Sequence, residues 1–163
     1  MEASNEMTIL PIEEYQRSIL ENLMQFYFYD FSEFNGADVT ETGLYGEYPY
    51  IDYYWIEKNR FPFFIYAKGK LAGFALVSRI NQGDQSYYSM SEFFILRKFR
   101  RNGLGGKAAN KIFEQFKGDW KVTQILTNHP AQKFWRRVIH EFTNGKYSEM
   151  VNEKTVIQLF KSR

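Results

Sequence analysis

Residues 92–106 are the stretch that most constrains what this chain can fold into. They read Glu-Phe-Phe-Ile-Leu-Arg-Lys-Phe-Arg-Arg-Asn-Gly-Leu-Gly-Gly. The apolar run 93–96 predicts a strand buried on both faces, and the apolar spacing after the glycines predicts a helix. Glycines let backbone amides converge on one point, and a helix start adds partial positive charge. With basic residues at 97, 98, 100 and 101, this turn is expected to bind a multiply charged phosphate. A solvated basic surface turn is the alternative.

The N-terminal third predicts one strand, one amphipathic helix and a long loop. A strand is expected at 7–10, and Pro11 is expected near the first turn of the helix, where proline is tolerated. Residues 31–60 contain Gly36, Gly43, Gly46 and Pro49, which predict a loop followed by a short helix near 49–58. Apolar residues spaced by three or four positions predict one buried stripe on the first helix: Ile12, Tyr15, Ile19, Leu23 and Phe26 or Tyr27.

The rest of the chain predicts six more strands and two more helices. Strands are expected at 63–67, 71–80, 86–96 and 122–126, followed by two closing strands at about 145–151 and 154–160. One helix follows the glycines and is ended by Gly118, and another opens at Pro130. The order β-α-α-β-β-β-α-β-α-β-β predicts a mixed α/β sheet with helices on both faces, in one domain spanning 1–163.

Composition excludes several classes of site. The chain has no cysteine, so disulfides, thiolate metal sites and a cysteine nucleophile are excluded. Its two histidines, at 129 and 140, lack metal-ligand spacing, and no metal is expected. The longest apolar run, 71–77, is too short to span a bilayer, and the first residues are acidic and polar. We therefore expect a cytoplasmic protein with no membrane partner.

Charge is segregated along the chain although the net charge is only +2. No lysine or arginine occurs between Arg17 and Lys58, where eight acidic residues lie, whereas residues 97–101 carry four positive charges. One region is expected to prefer cations and another anions, with two solvated faces as the alternative. Because the acidic segment would repel a phosphate backbone, no nucleic-acid partner is expected.

Two common phosphate-binding motifs do not fit the glycine turn. A P-loop would need glycine at 101 and serine or threonine at 108, where Arg101 and Ala108 stand. Gly103, Gly105 and Ala108 satisfy the dinucleotide pattern G-x-G-x-x-A. In that fold, however, the glycines follow the strand almost directly, with half of a doubly wound sheet still to come.

Arg100-Arg-Asn-Gly-Leu-Gly105 matches Arg/Gln-x-x-Gly-x-Gly/Ala and resembles the acyl-coenzyme A loop of the GNAT N-acetyltransferases. Downstream, residues 128–135, Asn-His-Pro-Ala-Gln-Lys-Phe-Trp, resemble the family's Asn-x-x-Ala-x-x-Phe-Tyr segment. The specific resemblance covers residues 86–142. It implies the GNAT fold, a twisted mixed sheet splayed between its fourth and fifth strands, and transfer of an acetyl group from acetyl-CoA to an amine.

The resemblance also implies which residues hold acetyl-CoA. Backbone amides of the glycine turn would bind the pyrophosphate, with arginines adding charge-assisted contacts. The backbone of residues 94–96 would pair with pantetheine, and Asn128 would bond it from the other side; a helix N-cap is the alternative role for Asn128. The implied set is Phe94, Ile95, Leu96, Arg100, Arg101, Asn102, Gly103, Leu104, Gly105, Gly106, Asn128, Phe134 and Trp135.

Catalysis on an amine needs a base, because an ammonium has no lone pair. On this resemblance the candidate is Glu92, acting directly or through water; a Glu on the exposed side of the strand is the alternative. The family's thiolate-protonating tyrosine aligns with Trp135, whose indole N–H is not a usable acid. His129, Tyr147 or water could substitute. A non-catalytic acyl-CoA-binding protein is therefore the competing expectation.

The acidic, tyrosine-rich segment 30–57 lies where GNAT proteins build the acceptor pocket. Carboxylates and aromatic faces attract cations, so a cationic small-molecule amine or a basic peptide is the expected substrate. The expected substrate-binding residues are Tyr29, Asp30, Tyr53 and Tyr54. Core packing or a dimer contact is the alternative role for the tyrosines, and relatives often form homodimers through their C-terminal strands.

Overall fold

The structure, a computed structural model, describes residues 6–163 and contains one seven-stranded sheet in the order β1-β2-β3-β4-β5-β7-β6. Neighbouring strands are antiparallel except β4 and β5, which are parallel. The strands are β1 Met7–Pro11, β2 Arg60–Ala67, β3 Lys70–Gln82, β4 Gln85–Ile95, β5 Gly118–Ile125, β6 Tyr147–Val151 and β7 Thr155–Ser162. The helices are α1 Arg17–Asn35, α2 Tyr53–Ile56, α3 Leu104–Gln115 and α4 His129–Thr143. The predicted element order and mixed α/β class are confirmed.

Helices cover both faces of the sheet, and each face has its own core. On one face α3 and α4 pack around Phe113 and Trp120. On the other, α1 and α2 pack around Leu20, Phe64 and Phe74. Because β2 and β3 lie between the two layers, their central residues are buried on both sides, as their apolar runs predict.

The sheet opens between β4 and β5. These strands pair with each other only at Tyr88 with Trp120 and at Ser89 with Lys121. Beyond that point each continues to its end without pairing with the other. A bulge lies at the same point: Met90 and Glu92 oppose consecutive residues of β3, so Ser91 is the extra residue. Bulges bend a strand and increase its twist. The splay between the fourth and fifth strands is thus present.

The prediction for α1 is wrong in two respects. Pro11 ends β1 instead of starting a helix, and a 3-10 turn at Glu14–Gln16 precedes α1. The expected stripe is also only partly buried: Leu23 is buried as expected, but Tyr15, Ile19 and Phe26 are exposed, and Leu20 and Met24 complete the buried face. Apolar residues surround most of this helix, so spacing alone does not identify the buried side.

Other differences concern boundaries. β2 begins at Arg60 and β5 at Gly118, each earlier than predicted, because the strands continue through residues of low apolar content. The short helix expected at 49–58 is a single turn, Tyr53–Ile56. Among the described residues, no helix is long and apolar enough to cross a bilayer.

Candidate functional site

A cavity of about 790 Å³ occupies the gap between β4 and β5. On the α1 side it is lined by Tyr27, Asp30 and Phe31, and on the opposite side by Phe93, Phe134 and Trp135. The cavity therefore passes through the sheet, from the α3–α4 face to the α1 face. Further lining residues come from the glycine turn and from the ends of β4 and β5: Phe94, Ile95, Arg97, Arg100, Arg101, Gly103, Gly105, Gly106 and Asn128.

The glycine turn presents backbone amides to this cavity. Arg101 and Gly103 have positive φ angles of 70° and 81°, which bend the chain sharply before α3 begins at Leu104. The first amides of a helix lack intrahelical partners, and among the described residues those of Gly105 and Gly106 donate to no protein acceptor. The positive end of α3 lies at the same place. This arrangement fits a diphosphate.

Glycine at 105 allows a close approach between α3 and α4. A Cβ at this position would lie 3.1 Å from Cε2 of Phe134 and 3.7 Å from Ile95 Cγ1. At Gly106 a Cβ would instead meet Val138 at an ordinary 3.7 Å. Of these two glycines, Gly105 is the one whose missing side chain leaves room for the Phe134 ring, which lines the cavity.

Asp30 holds two of the predicted phosphate-binding arginines. Arg97 Nη2 lies 2.6 Å from Asp30 Oδ1, and Arg100 pairs with the other carboxylate oxygen. Burial of Asp30 acts to raise its pKa, but the hydrogen bonds and charges of Arg100 and Arg97 outweigh it and leave that pKa below its usual value. Arg100 Nε also donates to the carbonyl of Ile95 at 2.7 Å. Among the described lining residues, Arg101, Lys107 and Arg137 form no ion pair.

The other wall is the start of α4. Asn128 is buried, lines the cavity and caps the helix, its Oδ1 accepting from the Ala131 amide at 3.1 Å. The side-chain NH₂ of Asn128 stays available to a ligand, so the cap and a binding role are compatible. Trp135 is buried and packs edge-on against Phe93, with ring centroids 5.1 Å apart.

Glu92 lies on the α1 side of β4, behind Tyr27. The Tyr27 hydroxyl donates to Oε2 of Glu92, and the Tyr48 hydroxyl donates to Oε1 at 3.3 Å. Burial raises the pKa of Glu92, and the two hydrogen bonds offset part of that rise. The pKa values of both tyrosines are raised by burial and by the neighbouring carboxylate. Glu92 is not on the cavity wall; Tyr27 is the one hydroxyl among the described lining residues.

Several predicted cofactor residues lie off the cavity. The Leu96 amide donates to Ala72 at 2.8 Å and so continues the pairing with β3. Leu104 is core, and Asn102 accepts from the Leu104 amide at 3.2 Å. Both border a smaller cavity of about 410 Å³ on the other side of the turn. Their expected contribution to cofactor binding is confined to the backbone.

Neither substitute for the missing acid lines the cavity. His129 is the exposed first residue of α4. Tyr147 begins the edge strand β6 and packs beside His140, with ring centroids 6.3 Å apart. The sheet order keeps Tyr147 from the gap, because β7 lies between β6 and β5. His129 lies between the lining residues Asn128 and Pro130 but is not itself a lining residue.

The four residues expected to bind the acceptor do not form one cluster. Tyr54 is buried in the core, with its hydroxyl 3.5 Å from Ser78 Oγ. Tyr53 stacks on Tyr50, and Tyr29 is 64% exposed on α1. Asp30 alone lines the cavity.

Two residues of the site were not anticipated in these roles. The sequence predicts Tyr27 only as a core residue. Because residues 26, 28 and 29 are also aromatic, the sequence does not distinguish Tyr27 from them as a site residue. Asn110, on α3, lines the cavity and has a buried Oδ1 without a hydrogen-bond partner in the described residues. No sequence pattern marked this position.

The sequence model of the acetyltransferase (GNAT) family matches residues 20–140, which is most of the chain. The chain belongs to the GNAT acetyltransferase family. Both predicted motifs of this GNAT protein lie within the matched region. A comparison with curated proteins finds no match.

Solved structures agree with this GNAT protein along nearly its whole length. An acetyltransferase from Thermus thermophilus superposes with a TM-score of 0.70 at 10% identity, covering 95% of this chain and 96% of its own. A Salmonella typhimurium acetyltransferase that modifies the N-terminal serine of ribosomal protein L7/L12 gives 0.68 at 9% identity, covering 98% and 96%. An aminoglycoside acetyltransferase from an uncultured soil metagenomic sample, in complex with sisomicin, gives 0.60 at 16% identity, covering 84% and 90%. At these identities the likeness shows the fold alone.

Proposed function

We propose that this GNAT protein is a cytoplasmic N-acetyltransferase that moves an acetyl group from acetyl-CoA to a cationic primary amine in a ternary complex. The observation that carries the proposal is the glycine turn. Its unpaired amides at the start of α3 open into a cavity that crosses the sheet at the splay. A substrate with a diphosphate at one end and an extended arm at the other fits that shape.

The residues present fit two parts of acetyl-CoA, the diphosphate and the pantetheine arm. The amides of Gly105 and Gly106 would take the diphosphate, and Arg101 and Lys107 would add charge. The unpaired edge of β4 and the Asn128 amide group would hold the pantetheine arm. The Ile95 carbonyl already accepts from Arg100, but a carbonyl oxygen has a second lone pair for a pantetheine amide.

The chemical step is a direct transfer. The amine nitrogen attacks the acetyl carbonyl carbon, a C–N bond forms, and the C–S bond of the thioester breaks. Glu92 is not on the cavity wall but accepts a hydrogen bond from Tyr27, which is, so it takes the proton that the amine loses through water beside the Tyr27 hydroxyl. Its raised pKa makes Glu92 a stronger base than an exposed carboxylate. The coenzyme A thiolate takes its proton from water, because neither His129 nor Tyr147 lines the cavity.

The acceptor class is inferred from charge. On the α1 side of the cavity Asp30 is paired with Arg97 and Arg100, so the negative charge that remains there is that of Glu33, and the segment that follows contains no lysine or arginine before Lys58. The relatives named above act on an N-terminal serine and bind an aminoglycoside, and both are amines.

The first test is a calorimetric titration with acetyl-CoA of the wild type, the double variant Gly103→Glu, Gly105→Glu, and Glu92→Gln. We expect the wild type and Glu92→Gln to bind equally and the double variant to lose binding. Acetylation of polyamines, aminoglycosides and basic peptides should be lost in Glu92→Gln. Absence of binding by folded wild type would refute the assignment of the loop, and an active Glu92→Gln would refute the base.

A non-catalytic acyl-CoA-binding protein is the second candidate. It is supported by Trp135 at the position of the family's acid and by the absence of His129 and Tyr147 from the described lining residues. In that case acetyl-CoA would bind as tightly as to an enzyme, while no amine in the panel would be acetylated.

A further inference from the structure

The Glu92 carboxylate accepts hydrogen bonds from two tyrosine hydroxyls that differ in their access to the cavity. Tyr27, on α1, donates to Oε2, and Tyr48, in the loop between α1 and α2, donates to Oε1 at 3.3 Å. Tyr27 is one of the residues that line the cavity, whereas Tyr48 and Glu92 are not. The Tyr27 hydroxyl therefore connects the carboxylate to whatever is bound in the cavity.

The oxygen of the Tyr27 hydroxyl still has room for a donor. A hydroxyl donates one hydrogen bond and can accept two. The proton of this hydroxyl is directed to Glu92, and no described residue donates a hydrogen bond to its oxygen. The lone pairs of that oxygen are therefore available to an N–H of the acceptor amine, or to a water beside it.

Aromatic packing fixes the ring that carries this hydroxyl. The Tyr27 ring meets Phe74 edge-on, with ring centroids 5.6 Å apart, and its centroid lies 5.5 Å from that of Phe94. Phe74 and Phe94 are buried partners on the neighbouring strands β3 and β4. Because a close-packed core resists movement of its rings, Tyr27 stays beside Glu92, and its hydroxyl proton can still turn about the C–O bond.

The charges around this pair favour exchange of a proton over its loss. Burial and the neighbouring Glu92 carboxylate raise the pKa of Tyr27, so that Tyr27 keeps its proton while Glu92 is ionised. Burial also raises the pKa of Glu92. A hydroxyl in this position passes its proton on only as it receives another.

Few other groups act on the pair within the part of the chain that the structure describes. From the loop comes Tyr48, whose pKa is raised by burial, by the carboxylate and by Tyr54 of α2. On β3 the residue opposite the carboxylate is Leu76, which carries no charge. The next acid along α1 is Asp30, and two arginines of the basic turn pair with it.

We propose that Tyr27 is a catalytic proton relay of the transferase proposed above, on which this inference rests. Its hydroxyl passes the proton lost by the amine to Glu92 and afterwards returns it to the water that protonates the thiolate. The relay explains how a base can act from behind the cavity wall. It also serves the thiolate, for which Trp135 provides no acid.

The protons balance over one turnover. An amine that arrives as an ammonium first releases one proton to solvent. As the neutral nitrogen attacks, the Tyr27 oxygen accepts the proton that the nitrogen loses, directly or through the water beside it, while the Tyr27 hydroxyl proton moves to Glu92. The C–S bond breaks and leaves a thiolate. Glu92 then returns its proton through Tyr27 to a water that protonates the sulfur, so that both side chains end as they began.

The chain offers a matched control, because Tyr27 and Tyr48 donate to the same carboxylate and Tyr27 alone of the two lines the cavity. The test measures single-turnover acetyl transfer against pH for the wild type, Tyr27→Phe and Tyr48→Phe, with the amine of the panel that the wild type acetylates fastest. Each rate is also measured in mixtures of light and heavy water. Titration with acetyl-CoA checks that both variants are folded and bind the donor equally.

Both variants should move the acidic limb to higher pH, since each removes a donor to ionised Glu92. Tyr27→Phe should in addition lower the plateau above that limb about tenfold, because unpositioned water replaces the relay, whereas Tyr48→Phe should keep its plateau. In the wild type and in Tyr48→Phe the rate should follow the deuterium fraction along a curve, since several protons move together. In Tyr27→Phe it should follow a straighter line.

The failure of the relay and the failure of the proposed function give different results. Equal plateaus for the two variants, with Glu92→Gln inactive, would overturn the relay and leave the transferase standing. A straight line for the wild type would also overturn the relay without any appeal to the variants. A wild type that binds acetyl-CoA and acetylates no amine of the panel would overturn both.

Discussion

At the scale of single residues, Glu92 combines features that oppose one another. A buried carboxylate resists ionisation, which raises its pKa, whereas hydroxyl donors stabilise the charged form. Burial is the larger influence here, and Tyr27 and Tyr48 moderate it. A base needs this intermediate condition, since it must be ionised before the reaction and still bind a proton during it.

Replacing Tyr27 by phenylalanine should change the pH dependence of turnover. Loss of the hydroxyl removes a donor to ionised Glu92, so the pKa of Glu92 rises further and the acidic limb of kcat/KM moves to higher pH. At neutral pH we expect roughly a tenfold loss of kcat/KM. Tyr29→Phe, on the exposed side of the same helix, is the control. An unmoved acidic limb would exclude Glu92 as the group that titrates.

Asp30→Asn should make stability less dependent on acid. Because the pKa of Asp30 is lowered in the fold, its stabilising contribution is complete above the unfolded value of about 3.9 and is lost as pH falls through the folded value. Urea unfolding should therefore show a less stable variant at neutral pH, and the difference in stability should shrink as the pH falls below about 3.9. The control is Asp38→Asn, since Asp38 forms no ion pair with a described residue; this variant should be as stable as the wild type at neutral and at acidic pH. If Asp30→Asn stays less stable than the wild type in acid, the linkage between the Asp30 pKa and stability is contradicted.

Residue roles were predictable only where chemistry was local. Glu92 was selected from its strand, but its hydroxyl partners lie 65 and 44 positions away along the chain, so no window of sequence contains the contact. Tyr147 does not reach the cavity because β6 is the edge strand beyond β7, and strand order is not readable from a local window of sequence.

At the scale of elements, the strand, glycine turn and helix at 85–115 were predictable because each signal is local. The apolar run is short, the glycines carry the required turn, and α3 has a clear buried side at Ala108, Ile112 and Phe113. The buried side of α1 was not predictable, because apolar residues surround most of this helix.

The two glycines at the start of α3 should respond differently to alanine. Gly105→Ala places a methyl 3.1 Å from the Phe134 ring and should weaken acetyl-CoA binding severalfold, roughly, as the ring shifts into the cavity. Gly106→Ala meets Val138 at 3.7 Å and gains helix propensity, so it should raise stability by about 0.5–1 kcal/mol. Calorimetry and thermal unfolding measure both, and equal acetyl-CoA affinities for the two variants would contradict the close-approach argument.

At the scale of the whole molecule, the mixed sheet followed from the order of elements, but its interior opening did not. The splay was expected only from a family resemblance. It depends on a one-residue bulge at Ser91 and on two residue pairs between β4 and β5, and strand periodicity encodes neither. Charge segregation, in contrast, was visible in the sequence, and in the structure Asp30 of the acidic segment pairs with Arg97 and Arg100 of the basic turn.

Hydrogen exchange should locate acetyl-CoA within the sheet. Saturating ligand should slow exchange in peptides covering the ends of β4 and β5 and the start of α3, because these flank the gap. β2, which is paired on both sides, should change little and serves as the internal control. Uniform protection across the sheet, or protection absent from β4 and β5, would contradict the proposed position.

The limited pairing between β4 and β5 has a consequence for how stability depends on ligand. Most of the facing edges of β4 and β5 are unpaired, and on the proposed function the pantetheine arm of the substrate pairs with them as a further strand would. A ligand present at a hundred times its Kd adds about 2.7 kcal/mol to the folded state. The free energy of unfolding would then be lowest when acetyl-CoA is scarce, so the amount of folded protein would follow the supply of its own substrate.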